Sequence, residues 1–261
     1  MNIGIIGYGV VGKSVHNMLS VDHAVSIYDP ALGYNDWTSI VDVDVMFICV
    51  PTPTVKGVQD LSIMHDTLSR LKASETCALI VIKSTTLPSA MRVLCYGPEY
   101  EELNIMHAPE SLDQHTPYFY HTKHLIGVKD IYQSALYREV FGLGGYGDHD
   151  VRTCDPVTAA MIKYVHNCHG AIKVAMFNEF YEVCEKEGVN YREMLGGLFA
   201  FSEHIDKTYT QMASDGQRGF GGVCFPKDLV AFDTQYNMDI AAAAIEKNME
   251  WRKKDMDKVL E

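Results

Sequence analysis

Three glycines near the start of the chain constrain its fold more than any other feature. An apolar run from Asn2 to Ile6 leads into Gly-Tyr-Gly-Val-Val-Gly at residues 7 to 12, and a helical pattern follows. In such a strand, turn and helix, the first glycine allows the tight turn, the second lets a pyrophosphate approach, and the third lets helix and strand pack closely. The helix N-terminus favours the phosphates. We predict a dinucleotide site at Gly7, Gly9, Val10, Val11 and Gly12.

A second apolar run, from Ala24 to Tyr28, leads to an acidic residue, Asp29, which lies 22 residues beyond Gly7. A carboxylate at this distance binds the adenosine ribose hydroxyls. The next basic residue is Lys56, and a 2'-phosphate would need a nearer cation. The pattern therefore favours NAD over NADP, the alternative being a strand-end turn at residues 29 and 30.

Further strand-like runs alternate with helical stretches such as Ile63 to Leu71. We place these runs at Val45 to Val50, Ala78 to Ile82, Asn104 to His107 and His124 to Val128. The alternation predicts an α/β fold: a Rossmann-type, doubly wound parallel sheet, followed by an all-helical domain. Ligands of such sheets bind beyond the carboxyl ends of the strands. The segments expected there are Val50-Pro51-Thr52-Pro53, Lys83-Ser84-Thr85 and Ala108-Pro109-Glu110, although the same residues could simply end strands or cap helices.

The composition changes after a glycine-rich stretch at 142 to 147, where we divide the chain into a nucleotide domain at 1–150 and a helical domain at 151–261. One long helical pattern runs from about Asp155 to Glu187, with Pro156 in its first turn and Gly188 just beyond its end. A weaker helical region is predicted at 191 to 213, and another helix after residue 228. Long helices with broad apolar faces often bury them against a second subunit, so we expect a homodimer through this domain.

Two polar residues of the long helix, Lys163 and Asn167, are spaced to share one face. A lysine shielded from water there could stabilise an oxyanion or carry a proton, whereas an exposed one would be solvated. His166, Cys168 and His169 fall on different faces of the helix, so we predict no metal site.

The segment from Gly219 to Asp228 places one cysteine, Cys224, between a glycine-rich turn and a Pro-Lys-Asp cluster. Glycines let a backbone approach a ligand and point N–H groups at it. Lys227 and Asp228 could tune the thiol or handle a proton. The alternative is an ordinary turn beside a small buried cysteine.

The charge of the chain argues against some partners. Lys and Arg number 22 and Asp and Glu 34, which gives a net charge of −12 and argues against nucleic-acid or anionic-membrane binding. Seven cysteines without a Cys-x-x-Cys pair indicate reduced thiols in the cytosol. We see no signal pattern and no membrane-spanning run, so we expect a protein that is not exported.

Taken in order, these motifs resemble the UDP-glucose/GDP-mannose 6-dehydrogenase family. The resemblance runs from the first strand to about Asn248, includes Asn178-Glu179, and is most specific around Cys224. It implies oxidation of the C6 primary alcohol of a nucleotide sugar to a carboxylate with two NAD. The cofactor-binding residues would be those of the glycine turn together with Asp29, Val50, Pro51, Thr52, Ser84 and Thr85.

The resemblance also implies residue roles. Cys224 would be the nucleophile that holds a thiohemiacetal and then a thioester, and Asp228 would orient or deprotonate water and substrate. Lys163 and Asn167 would hold the oxyanion, Glu110 would be the base in thioester hydrolysis, and Thr85 would lie near the nicotinamide. Substrate-binding residues would be Glu110, Lys163, Asn167, Gly219, Phe220, Gly221, Gly222 and Cys224.

The chain departs from the family pattern at Gln114 and Ala160, where acids are usual, and in a short loop after Leu112. The family continues into a third, nucleotide-binding domain, and the sequence stops at Glu261. Another chain then supplies that domain, or the substrate is smaller, or nucleotide binding is weak. Two other functions stay open: a single-step alcohol or β-hydroxyacid dehydrogenase, and a weakly active NAD-binding partner of a full-length dehydrogenase.

Overall fold

A computed structural model describes most of the chain, in four ranges: 1–110, 123–144, 151–211 and 216–260. Gln114, the loop after Leu112 and the end of the predicted helical region at Ala213 lie outside these ranges. The chain divides into two compact units. The first contains Met1–Thr52 and Leu61–Lys163, and the second contains Pro53–Asp60 and Tyr164–Glu261.

The described residues form nine strands. They are β1 (Asn2–Ile6), β2 (Ala24–Tyr28), β3 (Val45–Ile48), β4 (Thr54–Val55), β5 (Val58–Gln59), β6 (Leu79–Ile82), β7 (Asn104–His107), β8 (His124–Gly127) and β9 (Val151–Cys154). The same residues form nine α-helices and two short 3-10 turns, Pro30–Leu32 and Pro98–Tyr100. The helices are α1 (Val10–Leu19), α2 (Thr38–Val41), α3 (Ser62–Ala73), α4 (Pro88–Tyr96), α5 (Ile131–Val140), α6 (Pro156–Glu187), α7 (Tyr191–Phe201), α8 (Phe225–Tyr236) and α9 (Asp239–Leu260).

The first unit is built on a seven-stranded sheet in the order β2-β1-β3-β6-β7-β8-β9. Its pairs are parallel apart from β7 and β8, which run in opposite directions. The predicted doubly wound sheet is therefore confirmed, with one antiparallel pair added. The edge strand β9 was not predicted, because its exposed Arg152 and Thr153 give it no apolar run.

Alternate residues of the central strands enter two apolar cores, one on each face of the sheet. In β3, Met46 and Ile48 belong to one core, and Val45 and Phe47 to the other. All four residues of this strand are fully buried. Strands covered on both faces read as continuous apolar runs, which is why the sequence located them well.

Helix α6 begins and ends as predicted. The Asp155 carboxylate accepts hydrogen bonds from the backbone N–H groups of Val157 and Thr158, which satisfies two amides of the first turn. At the other end Gly188 adopts a φ of +68°, and the N–H of Val189 donates to the carbonyl of Cys184.

The rest of the second unit differs from the prediction at two helix boundaries. Helix α7 ends at Phe201, well before residue 213, and Asp206 then accepts the N–H of Thr208 in a turn. Helix α8 begins at Phe225, with Pro226 in its first turn, so Lys227 and Asp228 are helical. Helix α9 is interrupted at Arg252, whose φ of −136° and ψ of 45° are not helical.

A short hairpin, β4–β5, also belongs to the second unit although it follows β3 in sequence. The N–H of Gly57 donates to the carbonyl of Val259 in α9, and the hydroxyl of Thr54 donates to the carbonyl of Lys227 in α8. A Cβ on Gly57 would lie 2.9 Å from the hydroxyl of Thr234, so the turn needs glycine for space as well as for its φ of +78°.

Across the four described ranges, no helix combines the length and the apolarity that crossing a membrane requires.

Candidate active site

The three glycines of the first turn serve different purposes. Gly7 has a φ of +89°, and a Cβ on it would lie 2.7 Å from the carbonyl oxygen of Cys49. A Cβ on Gly12 would lie 2.0 Å from the carbonyl oxygen of Gly7. A Cβ on Gly9 would meet nothing within 4 Å. The first and third glycines therefore serve the packing of the chain itself, whereas the second faces the open space that a pyrophosphate would need.

Asp29 links the glycine turn to the end of β2. One carboxylate oxygen accepts the N–H of Tyr8 at 2.7 Å, and the other accepts the N–H of Ala31 at 3.1 Å. The bond from Ala31 caps the 3-10 turn that follows β2. The alternative interpretation, a turn at the end of the strand, therefore accounts for this contact but not for the bond from Tyr8. The first bond holds the carboxylate beside the glycine turn, where a ribose would be recognised.

The loops that follow β3 and β6 are joined by two hydroxyls. Thr52 donates to the carbonyl of Thr85 at 2.7 Å, and Ser84 donates to the carbonyl of Val50 at 2.6 Å. Thr52 and Ser84 are both buried. Their hydroxyl hydrogens are thus engaged with backbone, and these residues shape the loops beyond the strand ends.

A buried ion pair joins the ends of β6 and β7. The ammonium of Lys83 lies 2.9 Å from a carboxylate oxygen of Glu110, and the two side chains are 4% and 10% exposed. Burial by itself would lower the pKa of Lys83, but the Glu110 carboxylate more than reverses this and raises the pKa above its ordinary value. Glu110 was predicted as a site residue, and its partner Lys83 was not.

His107, at the end of β7, is fully buried. Its Nδ1 lies 3.0 Å from the carbonyl oxygen of Ile82, so Nδ1 carries the proton and Nε2 is an acceptor. Among the described residues, Nε2 has no hydrogen-bond partner. Burial, with the nearby cations Lys83 and Lys163, lowers the pKa of His107 to about 3, so the ring is neutral. Burial also raises the pKa of the Cys49 thiol, which interacts with Lys83 and Glu110, to about 12, so this cysteine stays protonated.

The second unit holds another buried polar group, centred on Asp228, which is 1% exposed. Its carboxylate accepts the amide of Asn167 at 2.6 Å and the ammonium of Lys227 at 2.5 Å. Asn167 is itself 3% exposed. Two residues predicted separately, one on α6 and one on α8, are thus in direct contact. Lys163, half-buried, lies on α6 one turn before Asn167 and belongs to the first unit.

Cys224 lies at the N-terminus of α8, with no side-chain cap bond, and is half-buried. The N–H of Asp228 donates to the carbonyl of Cys224 in the first helical turn. Cys224 is thus the residue that precedes the first turn of α8, the end at which a helix dipole is positive.

Two asparagines form hydrogen bonds with the backbone of the glycine segment before Cys224. The N–H of Gly219 donates to Asn178, and Asn248 both accepts the N–H of Phe220 at 2.8 Å and donates to its carbonyl at 2.9 Å. Both asparagines are fully buried. We expected the glycine amides to face a ligand, but that of Gly219 is used by the protein itself.

Two positions of this segment require glycine because a Cβ there would collide with a neighbouring side chain. A Cβ on Gly219 would lie 2.2 Å from the Asn248 oxygen, and one on Gly221 would lie 2.0 Å from a guanidinium nitrogen of Arg252. Arg252 also donates to the carbonyl of Arg218 at 2.8 Å. The glycines therefore let the segment pack against buried polar side chains, a role that the sequence did not reveal.

No group of three or more histidines, cysteines, aspartates and glutamates in the described residues could hold a metal ion.

Comparison with known proteins matches these two regions to one family. Residues 34–143 match the NAD binding domain of the UDP-glucose/GDP-mannose dehydrogenase family, and residues 157–250 match its central domain. The chain belongs to this family. NAD as the cofactor is thereby confirmed, as is the resemblance from which the site roles were drawn.

Individual relatives agree with this assignment. The UDP-glucose 6-dehydrogenase of Rickettsia conorii is 30% identical over 240 residues, which cover 87% of this chain and 53% of that protein. The chain spans about half the length of the first curated relatives it matches.

Solved structures share the fold. A UDP-glucose dehydrogenase from Pyrobaculum islandicum matches with a TM-score of 0.82 at 22% identity, over 95% of this chain and 68% of that one. A 3-hydroxyisobutyrate dehydrogenase from Mycobacterium tuberculosis matches with a TM-score of 0.72 at 18% identity, over 98% of this chain and 95% of that one. The fold is therefore common to both dehydrogenases and does not by itself choose between their reactions.

Proposed function

We propose that this chain carries out NAD-dependent oxidation of the C6 primary alcohol of a nucleotide sugar, UDP-glucose or a similar compound, to the carboxylate. The observation that carries the proposal is the arrangement in the second unit: Cys224 immediately precedes α8, and Asp228, one turn later, accepts a hydrogen bond from Asn167. A simple alcohol dehydrogenase does not need this thiol, whereas an enzyme that retains an aldehyde does.

The reaction takes two hydrides from one carbon and consumes one water. Loss of the first hydride and of the hydroxyl proton gives an aldehyde. The Cys224 thiolate adds to the aldehyde carbon and forms the thiohemiacetal anion, which loses the second hydride to give a thioester. Water then attacks the thioester, the carbon–sulfur bond breaks, and the thiolate is regenerated with the carboxylate product.

Bound NAD would supply the hydride acceptor, once for each oxidation. The turn at residues 7 to 12 would hold its pyrophosphate, since the space in front of Gly9 is open, and Asp29 would bind its ribose. Val50, Pro51, Thr52, Ser84 and Thr85 would line its path beyond the strand ends. The hydrogen bond between Thr52 and Thr85 supports a shared role for the loops that follow β3 and β6.

The remaining residues would handle charge and protons. Lys163 and Asn167 would stabilise the oxyanions of the tetrahedral states, and Asp228 would orient water and substrate. Glu110 would take the proton from the attacking water. Gly219, Phe220, Gly221 and Gly222 would line the sugar site, and the contacts of Gly219, Phe220 and Gly221 with buried side chains support a fixed backbone there.

We also propose the division into a nucleotide domain at 1–150 and a helical domain at 151–261, and a homodimer formed by the helical domain. Exposed apolar side chains support the dimer: Met176, Phe180 and Val183 of α6 are 43%, 48% and 55% exposed. They line a groove of about 640 Å³ with residues of α7. None of the seven cysteines forms a disulfide, which agrees with a cytosolic location.

A panel of nucleotide sugars, followed by NADH release and by the mass of the acid product, tests the proposal. We expect two NADH per acid with the right sugar, and no acid from Cys224→Ala. Cys77→Ala, which removes an exposed thiol of the first unit, is the control and should leave the yield unchanged. One NADH per product, insensitive to Cys224→Ala, would instead identify a single-step alcohol or β-hydroxyacid dehydrogenase. Calorimetric NAD binding without turnover until a second protein is added would identify a partner of a longer dehydrogenase.

A further inference from the structure

We propose that Lys83 is a positioning residue for the hydrolytic half of this reaction, because its ammonium keeps the buried Glu110 carboxylate ionised and oriented toward the attacking water. The inference rests on the proposed function, in which Glu110 is the base. No role follows for Lys83 from its position in the sequence, where it is one residue of a strand-end loop.

The geometry of the pair carries the inference. The nitrogen and the carboxylate oxygen are 2.9 Å apart, with side chains only 4% and 10% exposed. A carboxyl group removed from water and left without a partner takes up a proton near neutral pH, and a protonated carboxyl cannot act as a base. A direct cation at hydrogen-bond distance is the arrangement that keeps such a group charged.

Among the residues that the structure describes, three other titratable groups near the pair are neutral at pH 7. Cys49 at the end of β3 and Tyr137 on α5 both have their pKa raised to about 12 by burial, so both are neutral at pH 7. His107 on β7 is neutral because burial lowers its pKa to about 3. Lys163 is a second cation that interacts with His107. The pKa of Lys83 is raised by Glu110, so the ammonium stays charged throughout the pH range in which hydrolysis can be measured.

The position of the ion pair in the sheet agrees with a role at the ligand-binding site. Lys83 directly follows β6 and Glu110 comes three residues after β7, and these strands are parallel neighbours. Both residues therefore lie at the carboxyl edge of the sheet, where doubly wound folds bind their ligands. A purely structural ion pair could be placed at either edge.

The test separates the two oxidations from hydrolysis. Wild type, Lys83→Met, Lys83→Arg and Glu110→Gln are each given NAD and the sugar identified by the panel, from pH 6 to pH 10. NADH release reports oxidation, and the mass of the protein reports the acyl group on Cys224. We expect Lys83→Met to form the thioester normally but to release acid about 100-fold more slowly at pH 7.5.

The pH profile distinguishes positioning from a structural role. Hydrolysis by Lys83→Met should recover as the pH rises and Glu110 ionises without help, Glu110→Gln should stay slow at every pH, and Lys83→Arg should restore the wild-type profile. Hydrolysis by Lys83→Met at the wild-type rate, or slow hydrolysis without alkaline recovery, overturns the inference.

A second measurement can be made even if the Lys83→Met variant does not fold. The infrared difference spectrum between wild type and Glu110→Gln at pH 7 should contain an ionised carboxylate band, and a protonated carboxyl band overturns the inference. This spectrum is independent of turnover. If wild type makes no acid at all, the proposed function fails. The infrared spectrum still tests separately whether Glu110 is ionised.

Discussion

Replacing Gly219 by alanine tests whether the segment before Cys224 is held as tightly as the structure indicates. Gly219 has a φ of +78°, and its added Cβ would lie 2.2 Å from the side-chain oxygen of Asn248. That oxygen cannot simply move, because the same amide is fully buried and makes both of its hydrogen bonds to Phe220. The substitution should therefore displace the Asn248 amide and break these bonds.

The cost can be worked from these contacts. A left-handed backbone costs an L-residue about 1 to 2 kcal/mol. Losing two hydrogen bonds at about 1 kcal/mol each adds roughly 2 kcal/mol, with more if a buried polar group is left unpaired. We expect Gly219→Ala to lower the free energy of unfolding of the second unit by about 3 to 5 kcal/mol.

Gly188 offers a matched control in the same unit. It too is left-handed, with a φ of +68°, but a Cβ there would meet nothing within 4 Å. Gly188→Ala should therefore cost only the backbone term, about 1 to 2 kcal/mol. The difference between the two variants isolates the contact with Asn248.

The two tryptophans allow the measurement. Trp37 lies in the first unit and Trp251 in the second, where its ring is 3.1 Å from the Cβ that Gly219→Ala would add. Urea unfolding followed by tryptophan fluorescence in a Trp37→Phe background then reports the second unit. Equal losses for Gly219→Ala and Gly188→Ala would refute the reasoning, since they would mean that the Asn248 contact adds nothing.

Three further predictions concern the first unit. Gly12→Ala should destabilise folding, because its Cβ would meet a backbone oxygen 2.0 Å away, whereas Gly9→Ala should fold normally and bind NAD about tenfold more weakly by calorimetry. Asp29→Asn, which removes charge but keeps an acceptor, should reduce the preference for NAD over NADP by about tenfold, and an unchanged ratio of the two dissociation constants would contradict the assignment. His107 has a pKa of about 3 in the folded protein against 6.5 when free, so the native state binds fewer protons below pH 6.5. Unfolding free energy should then fall by up to about 1.4 kcal/mol per pH unit as the pH drops below 6.5. His107→Gln should weaken this dependence, and equal urea curves at pH 7 and pH 5 would contradict it.

The sequence predicted the sheet well because burial on both faces leaves a continuous apolar run. It predicted the glycine turn because Gly7 and Gly12 meet a steric demand that few other residues can satisfy. It missed the edge strand β9, where exposed polar residues remove the signal. Local patterns thus succeed where one physical requirement dominates a short segment.

The ion pair between Lys83 and Glu110 shows the limit of such patterns. The two residues are far apart in sequence and meet because β6 and β7 are neighbours in a sheet. Each residue was visible at a strand end, but nothing local fixes which strands are adjacent or which side chains turn toward each other. The same holds for Asn167 and Asp228, which were predicted for separate reasons and share a hydrogen bond.

The start of α8 was missed for another reason. The glycines before Cys224 suggested a loop, and the prediction extended that loop through Pro226 to Asp228. Proline is well suited to the first turn of a helix, so the same residue could have marked the beginning of α8. The correction changes the environment of Cys224, which lies at the positive end of a helix and has Asp228 one turn away.

The second unit buries polar groups on both sides of Cys224, and this pattern favours precision over stability. Asn178 and Asn248 fix the backbone before the thiol, and Asn167 holds Asp228 after it. Apolar side chains of similar volume would avoid the cost of removing amides and a carboxylate from water. They could not hold the backbone at a given amide, as hydrogen bonds of fixed length and direction do. Under the proposed function the thiol has to reach the aldehyde carbon in one geometry and hold it there through the second hydride transfer, and a displacement of about 1 Å can cost about 100-fold in rate.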